Sequence, residues 1–215
     1  MAALRNFIVE ERTGAFGIDF PFGLPQALVK EKKWEAFILS FPQNYSNAEE
    51  FRKSLYISSG GYELKRVTDR ECQTPFSPYN LRLYRQTYFG IREVLSPLIR
   101  NHLVCVLPMQ RALPGKTWLL EVCPASTLKH ERLYFPYKGS SRPHYSARSR
   151  ILSWIEEACG ISLPRTVRLA VLGDEYGDAL DSVIAAFATF RAIRKRAHIT
   201  AINNDTCMRE GYVFV

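Results

Sequence analysis

Residues 17–25 read Gly-Ile-Asp-Phe-Pro-Phe-Gly-Leu-Pro. A short apolar run, Ala15 to Ile18, delivers one carboxylate, Asp19, and then meets Pro21, Gly23 and Pro25. An apolar run followed by such punctuation predicts a buried strand ending in a turn. In open α/β sheets ligands gather outside the carboxyl ends of the strands, so Asp19 is a candidate catalytic or metal-binding acid. The competing reading makes it an acceptor for turn amides, which Asp serves well.

Outward from this strand, residues 2–12 read as a helix with Leu4, Phe7 and Ile8 on one face. Leu28 to Phe41 predicts an amphipathic helix closed by Pro42. Asn47 to Ile57 predicts another, opened by Asn-Ala-Glu-Glu and stopped by Gly60-Gly61. Tyr62 to Pro78 is polar and reads as irregular, and Leu81 to Ile99 is helical in pattern. Two strands follow, Leu103–Leu107 and Thr117–Cys123, with Pro108, Pro114 and Gly115 between them. Tyr145 to Ala158 and Asp178 to Arg194 are helices by their apolar spacing, the latter through Leu180, Val183, Ile184, Phe187 and Phe190. Gly211 to Val215 reads as a short last strand. Strands separated by helices predict an α/β domain.

The chain has 215 residues, 47% hydrophobic and 23% charged, with a formal net charge of +8. That length suits one sizeable domain, which needs no disulfide staple. The positive charge favours a polyanionic partner such as nucleic acid, a statement about association and not about fold. Short basic runs, Lys30-Glu31-Lys32-Lys33 and Arg194-Lys195-Arg196, read as solvated helix faces. Five scattered cysteines without metal-ligand spacing fit reduced thiols and a cytoplasmic location. No run approaches the ~20 apolar residues of a membrane span, so no membrane partner is expected.

Several chemistries drop out. Gly115-Lys116-Thr117 imitates the end of a phosphate loop, but Gln110 stands where the first glycine belongs and a strand follows instead of a helix. His102, His130, His144 and His198 show no helical pairing, which argues against a histidine metal site. No Gly-x-Ser-x-Gly elbow exists. The remaining candidates are carboxylates. Glu121, in Trp-Leu-Leu-Glu-Val-Cys-Pro, sits near a strand end among apolar neighbours, where an ionised Glu needs a partner or a metal unless it turns to solvent. Asp178 and Asp181 open the last long helix, either sharing a face towards one cation or serving as N-cap and N3 acids. Asp174 reads as a loop acid. Two strand-end acids plus an acid pair on a late helix follow the logic of a two-metal phosphodiesterase holding Mg²⁺ or Mn²⁺.

Taken in order, these segments resemble the domain-of-unknown-function family 429, which is classed with the ribonuclease H-like fold as a predicted nuclease. Residues 17–25 are similar to its Ile-Asp-x-Pro-x-Gly-Leu-Pro strand, Arg66-Val-Thr-Asp69 to its Arg-x-x-Asp segment, and Glu121-Val-Cys-Pro124 to its Glu-Val-x-Pro strand. Lys138 stands where a lysine follows, and Arg148 or Arg150 fits the arginine of the next helix. Asp178-Ala-Leu-Asp181 resembles its Asp-Ala-Leu-Asp signature, and Glu210-Gly211-Tyr212 its closing Glu-Gly-aromatic. The resemblance implies a ribonuclease H-like mixed sheet over residues 1–215, with a helical insertion at about 26–100. It implies Asp19, Glu121, Asp178 and Asp181 as metal ligands, and Arg66, Lys138, Arg148 and Arg150 as phosphate contacts. Such folds begin with an antiparallel meander whose first strand carries an acid. This chain is expected to lack that meander, with Asp19 on a strand at or near a sheet edge. The implied activity is metal-dependent hydrolysis of DNA or RNA, with catalysis in question for want of the first-strand acid. A non-catalytic nucleic-acid or protein-binding module is the alternative. A sugar-kinase-like activity ranks last, because no glycine-rich phosphate loop is present.

Overall fold

The computed structural model describes residues 1–11, 13–195, 199, 202 and 204–215. Its centre is β3 (Thr117–Val122), flanked in parallel by β1 (Ala15–Ile18) on one side and β2 (Val104–Leu107) on the other. Ile18 pairs with Glu121, while Leu107 pairs with Leu120. A short β4 (Val213–Phe214) pairs with Glu121 and Val122, also in parallel. Since Ile18 already occupies one side of Glu121, β4 takes the other and extends the line of β2.

The strand alternation sorts the side chains into two cores. Val104, Val106 and Leu119 join one apolar cluster, whereas Cys105, Leu107, Leu120 and Val122 join another on the opposite face. Both faces being covered, the strands read as continuous apolar runs, as buried parallel strands do. The protein is thus a mixed α/β structure with a small open parallel sheet between helices. Among the described residues β1 pairs only with β3, so it lies at an edge.

The first face carries α1 (Ala2–Glu10), α2 (Trp34–Asn44), α3 (Ala48–Ser58), α5 (Tyr84–Phe89) and α6 (Ser96–Arg100), joined to α5 by a π-helical turn at Gly90–Leu95. Phe37, Phe41, Phe51 and Tyr88 stack edge-on or tilted at its centre. From α1, Phe7 meets Phe16 of β1 edge-on at 5.6 Å. Two helix boundaries differ from expectation. The indole of Trp34 donates to the Phe22 carbonyl at 2.7 Å, so residues 29–33 run back towards the turn and α2 starts late. The Lys30–Lys33 run is therefore not a helix face. Pro42 lies inside α2 and does not close it. Gly90 has a steric reason: a Cβ there would come within 2.5 Å of the Phe20 ring. Its missing side chain seats Phe20, and with it the chain at Asp19. A further helix, α4 (Val67–Glu71), interrupts the stretch expected to be irregular.

The second face carries α7 (Pro124–His130), α8 (Arg142–Cys159), α9 (Arg165–Gly173) and α10 (Asp178–Arg194), whereas α11 (Asp205–Glu210) packs against α2 and α4. Ala185, Ala188 and Ala192 of α10 lie against the sheet, while Leu180, Ile184 and Phe187 pack with Ile151, Leu152 and Ile155 of α8. Small residues let α10 approach very closely. A Cβ on Gly17 would stand 1.9 Å from the Thr189 hydroxyl oxygen, which explains the glycine two residues before Asp19. Arg196 and His198 lie outside the described residues. No described helix is long and apolar enough to cross a membrane.

Candidate functional site

A cavity of about 680 Å³ opens at the carboxyl ends of β1 and β3. Asp19, Glu121, Asp181 and Lys138 line it, together with Arg66 and Cys123. Asp178 does not. Of the four expected metal ligands, three therefore reach one cavity, but they stand in different electrostatic states.

Glu121 belongs to a buried ionic network beneath the cavity. Arg66, with no exposed surface, donates from Nη1 and Nη2 to Glu121 at 2.9 and 2.5 Å and from Nε and Nη2 to Asp69 at 3.0 and 2.8 Å. Its fifth donor goes to the Glu210 carbonyl at 3.2 Å. A guanidinium has five N–H donors, and all are used. In place of the expected phosphate contact, Arg66 is a structural cation. Glu121 also accepts from the Phe22 amide at 2.8 Å. Burial drives the Glu121 carboxyl upward and Arg66 pulls it back, with a net rise. The Glu210 carboxylate takes the amides of Gln26 and Val67 at 2.7 and 2.6 Å. The network thus ties the turn after β1, the start of α4, β3 and the end of α11 into one floor.

Above this floor lie the accessible acids. Among the described residues no hydrogen bond reaches the Asp19 carboxylate. The expected bond from a turn amide to Asp19 is not formed by Phe22, whose amide goes to Glu121. The residue is exposed to solvent where it faces the cavity. Burial, Asp181 and Glu121 together push its pKa up to about 7, against the pull of Lys138. Asp181 accepts from the Tyr137 hydroxyl at 2.5 Å and the Lys138 ammonium at 2.8 Å. Burial pulls the Lys138 ammonium down, but Asp181 outweighs it and holds the pKa above its ordinary value. Burial raises the Tyr137 phenol, reinforced by its bond to Asp181. Cys123, at the end of β3, is pushed up to about 11 by burial and by Asp19, and so is kept as an unreactive thiol.

Arg148 is buried, as Arg66 is. Its guanidinium donates to the carbonyls of Tyr137 at 2.7 Å, Gly139 at 2.9 Å and Leu172 at 3.0 Å. It grips the backbone on both sides of Lys138 and aims that lysine, in place of touching a phosphate itself. Arg150 is exposed and lies 4.6 Å from the Phe135 ring centroid. Asp178 is exposed at the first turn of α10, and the cap expected of it comes from elsewhere. Gly177, left-handed at φ 82°, holds the N-cap position, and Asp174 reaches over it to accept from the Ala179 amide at 2.7 Å. That bond lowers the Asp174 pKa. Asp174 is therefore a helix-capping acid and not a plain loop acid. Asp69, Tyr137 and Glu210 are further residues that sequence reasoning did not single out as site builders. A paired Asp three residues after Arg66 was the available signal for the first.

Among the described residues no group of three or more His, Cys, Asp or Glu side chains is arranged to hold a metal ion. With Glu121 committed to Arg66 and Asp178 outside the cavity, the donor set does not fit two ions. A site for one hard cation would need only one or two carboxylates, with water and substrate phosphate completing the shell. Asp19 and Asp181 are the acids lining the cavity outside the Arg66 network. Compared with protein-family models, curated proteins and solved structures, the chain finds no match in any of the three.

Proposed function

We propose that the chain hydrolyses nucleic-acid phosphodiesters with one Mg²⁺ or Mn²⁺ held by Asp19 and Asp181, on a sheet of the ribonuclease H-like class. The observation that carries this reading is the juxtaposition of two cavity-lining carboxylates, one of which receives no hydrogen bond among the described residues, at the carboxyl end of parallel strands inside a cavity of nucleotide size. A bound divalent ion there supplies Lewis-acid polarisation of a phosphoryl oxygen and a water of lowered pKa. Lys138 offers its ammonium to a phosphate oxygen, with Asp181 and Arg148 fixing where it points. Tyr137 orients Asp181. The buried network carries no substrate contact and keeps β1 and β3 in register beneath the site.

The test is cleavage of labelled single- and double-stranded DNA and RNA in Mg²⁺ and in Mn²⁺, with Asp19→Asn as control. The substitution keeps size and removes the charge that balances a dication. Cleavage by the wild type and its loss in Asp19→Asn support the reading, and cleavage that survives Asp19→Asn overturns the site. A second reading, a nucleic-acid-binding module without catalysis, is favoured by the engagement of Glu121 with Arg66, which leaves few metal donors. Binding without cleavage in either metal would select it.

A further inference from the structure

The rim of the cavity is built differently from its floor. Phe76, Tyr134 and Phe135 line it, and all three keep accessible surface, with Tyr134 53% exposed. Each ring carries a cation: Arg82 lies 5.7 Å from Phe76, the Lys129 ammonium 5.2 Å from Tyr134, and Arg150 4.6 Å from Phe135. Such pairs hold a ring in place and set a positive charge beside a flat apolar surface. Among the described residues, the guanidinium groups of Arg82 and Arg150 have no hydrogen-bond or ion-pair partner. Their donors are free, in contrast to those of Arg66 and Arg148. Ring beside free cation, repeated at one mouth, matches a stacked base followed by its phosphate.

We propose that this mouth is a stacking platform for an unpaired nucleobase of a single strand, whose flanking phosphates are taken by Arg82 and Arg150. The inference rests on the phosphodiester reading and names its substrate as single-stranded. Two facts support the restriction. A cavity of about 680 Å³ has the size of a small-molecule pocket, enough for one nucleotide. Bases in a duplex present only their edges, so their faces are closed to Phe76, Tyr134 and Phe135.

The experiment uses the full chain in EDTA, with a short fluorescein-labelled oligothymidylate, alone or annealed to its complement, followed by fluorescence anisotropy. The single strand is expected to bind at least ~10-fold tighter than the duplex. Phe76→Leu and Phe135→Leu should each weaken single-strand binding by about 5- to 100-fold and leave duplex binding unchanged. Arg82→Gln combined with Arg150→Gln changes only exposed residues. It should reduce the slope of log affinity against log salt by about 1.4, the loss of two phosphate contacts on a single strand. Equal binding of duplex and single strand, Leu variants that bind as the wild type does, or an unchanged salt slope would each overturn the proposal. A parallel cleavage assay in Mg²⁺ separates it from the reading beneath it. Single-strand preference without cleavage removes the hydrolase and leaves the platform. Cleavage of duplex, equal in the wild type and the Leu variants, removes the platform and leaves the hydrolase.

Discussion

Two carboxylate clusters lie one above the other at the end of the sheet, and they are neutralised in opposite ways. In the lower one, Arg66 spends every donor on Asp69, Glu121 and the Glu210 carbonyl, and no exposed surface remains. In the upper one, Lys138 bonds Asp181 and only pulls on Asp19 from a distance, so Asp19 feels two other acids more strongly than it feels the cation. A cluster closed by its own cation holds structure, whereas one short of positive charge invites a cation or phosphate-bound counterions from outside. The same residue types in neighbouring layers therefore do different work because burial and pairing differ.

The sharpest way to break this contrast is to remove each cation in turn. Arg66→Met leaves Asp69 and Glu121 buried without their cation, and an uncompensated buried charge costs about 3–5 kcal/mol. Lys138→Met removes a half-exposed ion pair, whose worth is about 0–1 kcal/mol. Urea denaturation of both variants measures the difference. Equal losses would show that the two clusters are not distinct.

The close approach of α10 to β1 holds the upper cluster together, because it fixes Asp181 relative to Asp19. Gly17→Ala drives a methyl against the Thr189 hydroxyl at 1.9 Å and the Ala185 carbonyl at 2.9 Å. Overpacking of this kind costs about 1–3 kcal/mol. Thr189→Ala should recover part of the loss, leaving the backbone clash. A thermal melt in which Gly17→Ala is neutral would mean that the helix can retreat, and the Asp19–Asp181 juxtaposition with it.

How much of this was legible beforehand follows from where the signal lies. The span Asp178–Arg194 and the strand from Thr117 could be read because apolar spacing records which face is buried. Helix α9 has its apolar residues on one face, but it is only 9 residues long and opens with no side-chain cap, so little marks it in the sequence. Pro124 ends a strand in pattern, but it also suits the first turn of a helix, where its missing N–H is no loss, and α7 uses it so. Asp19, Glu121 and Asp181 were legible as acids at element ends. Their states were not, because no local pattern reports that Arg66 crosses to Glu121, or that Arg148 turns inward to carbonyls. An arginine in a polar stretch looks solvent-facing until the chain that buries it is in place.

A smaller effect concerns the proton on Asp19. Its pKa near 7 lies above the ordinary 3.8, so the folded protein binds this proton more tightly than the unfolded chain. The stabilisation is complete below about pH 4 and is lost as pH rises through 7. Burial sets it first, then Asp181 and Glu121, with Lys138 opposing. Solvent access limits the size to on the order of 1 kcal/mol. Asp19→Asn should remove this slope, so its melting temperature gains on the wild type between pH 4 and pH 8. Parallel profiles for the two proteins would mean that Asp19 is not short of positive charge.

The smallest effect separates the paired acids of α10. Asp178 is exposed in the first turn, where a carboxylate gains about 0.3–1 kcal/mol from the helix dipole. Asp178→Asn should cost no more than that and leave nucleic-acid cleavage and binding unchanged. Asp181→Asn is expected to differ in kind. It frees the Tyr137 hydroxyl and the Lys138 ammonium, bonded to it at 2.5 and 2.8 Å, and removes one of the two accessible carboxylates. Cleavage should fall at least ~100-fold, as when a group that fixes a reacting geometry is lost. Folding should persist, since the lower network and the Asp174 cap are untouched. If Asp178→Asn lost cleavage as Asp181→Asn does, the acid pair would act together. The upper cluster would then extend beyond the cavity as its lining now defines it.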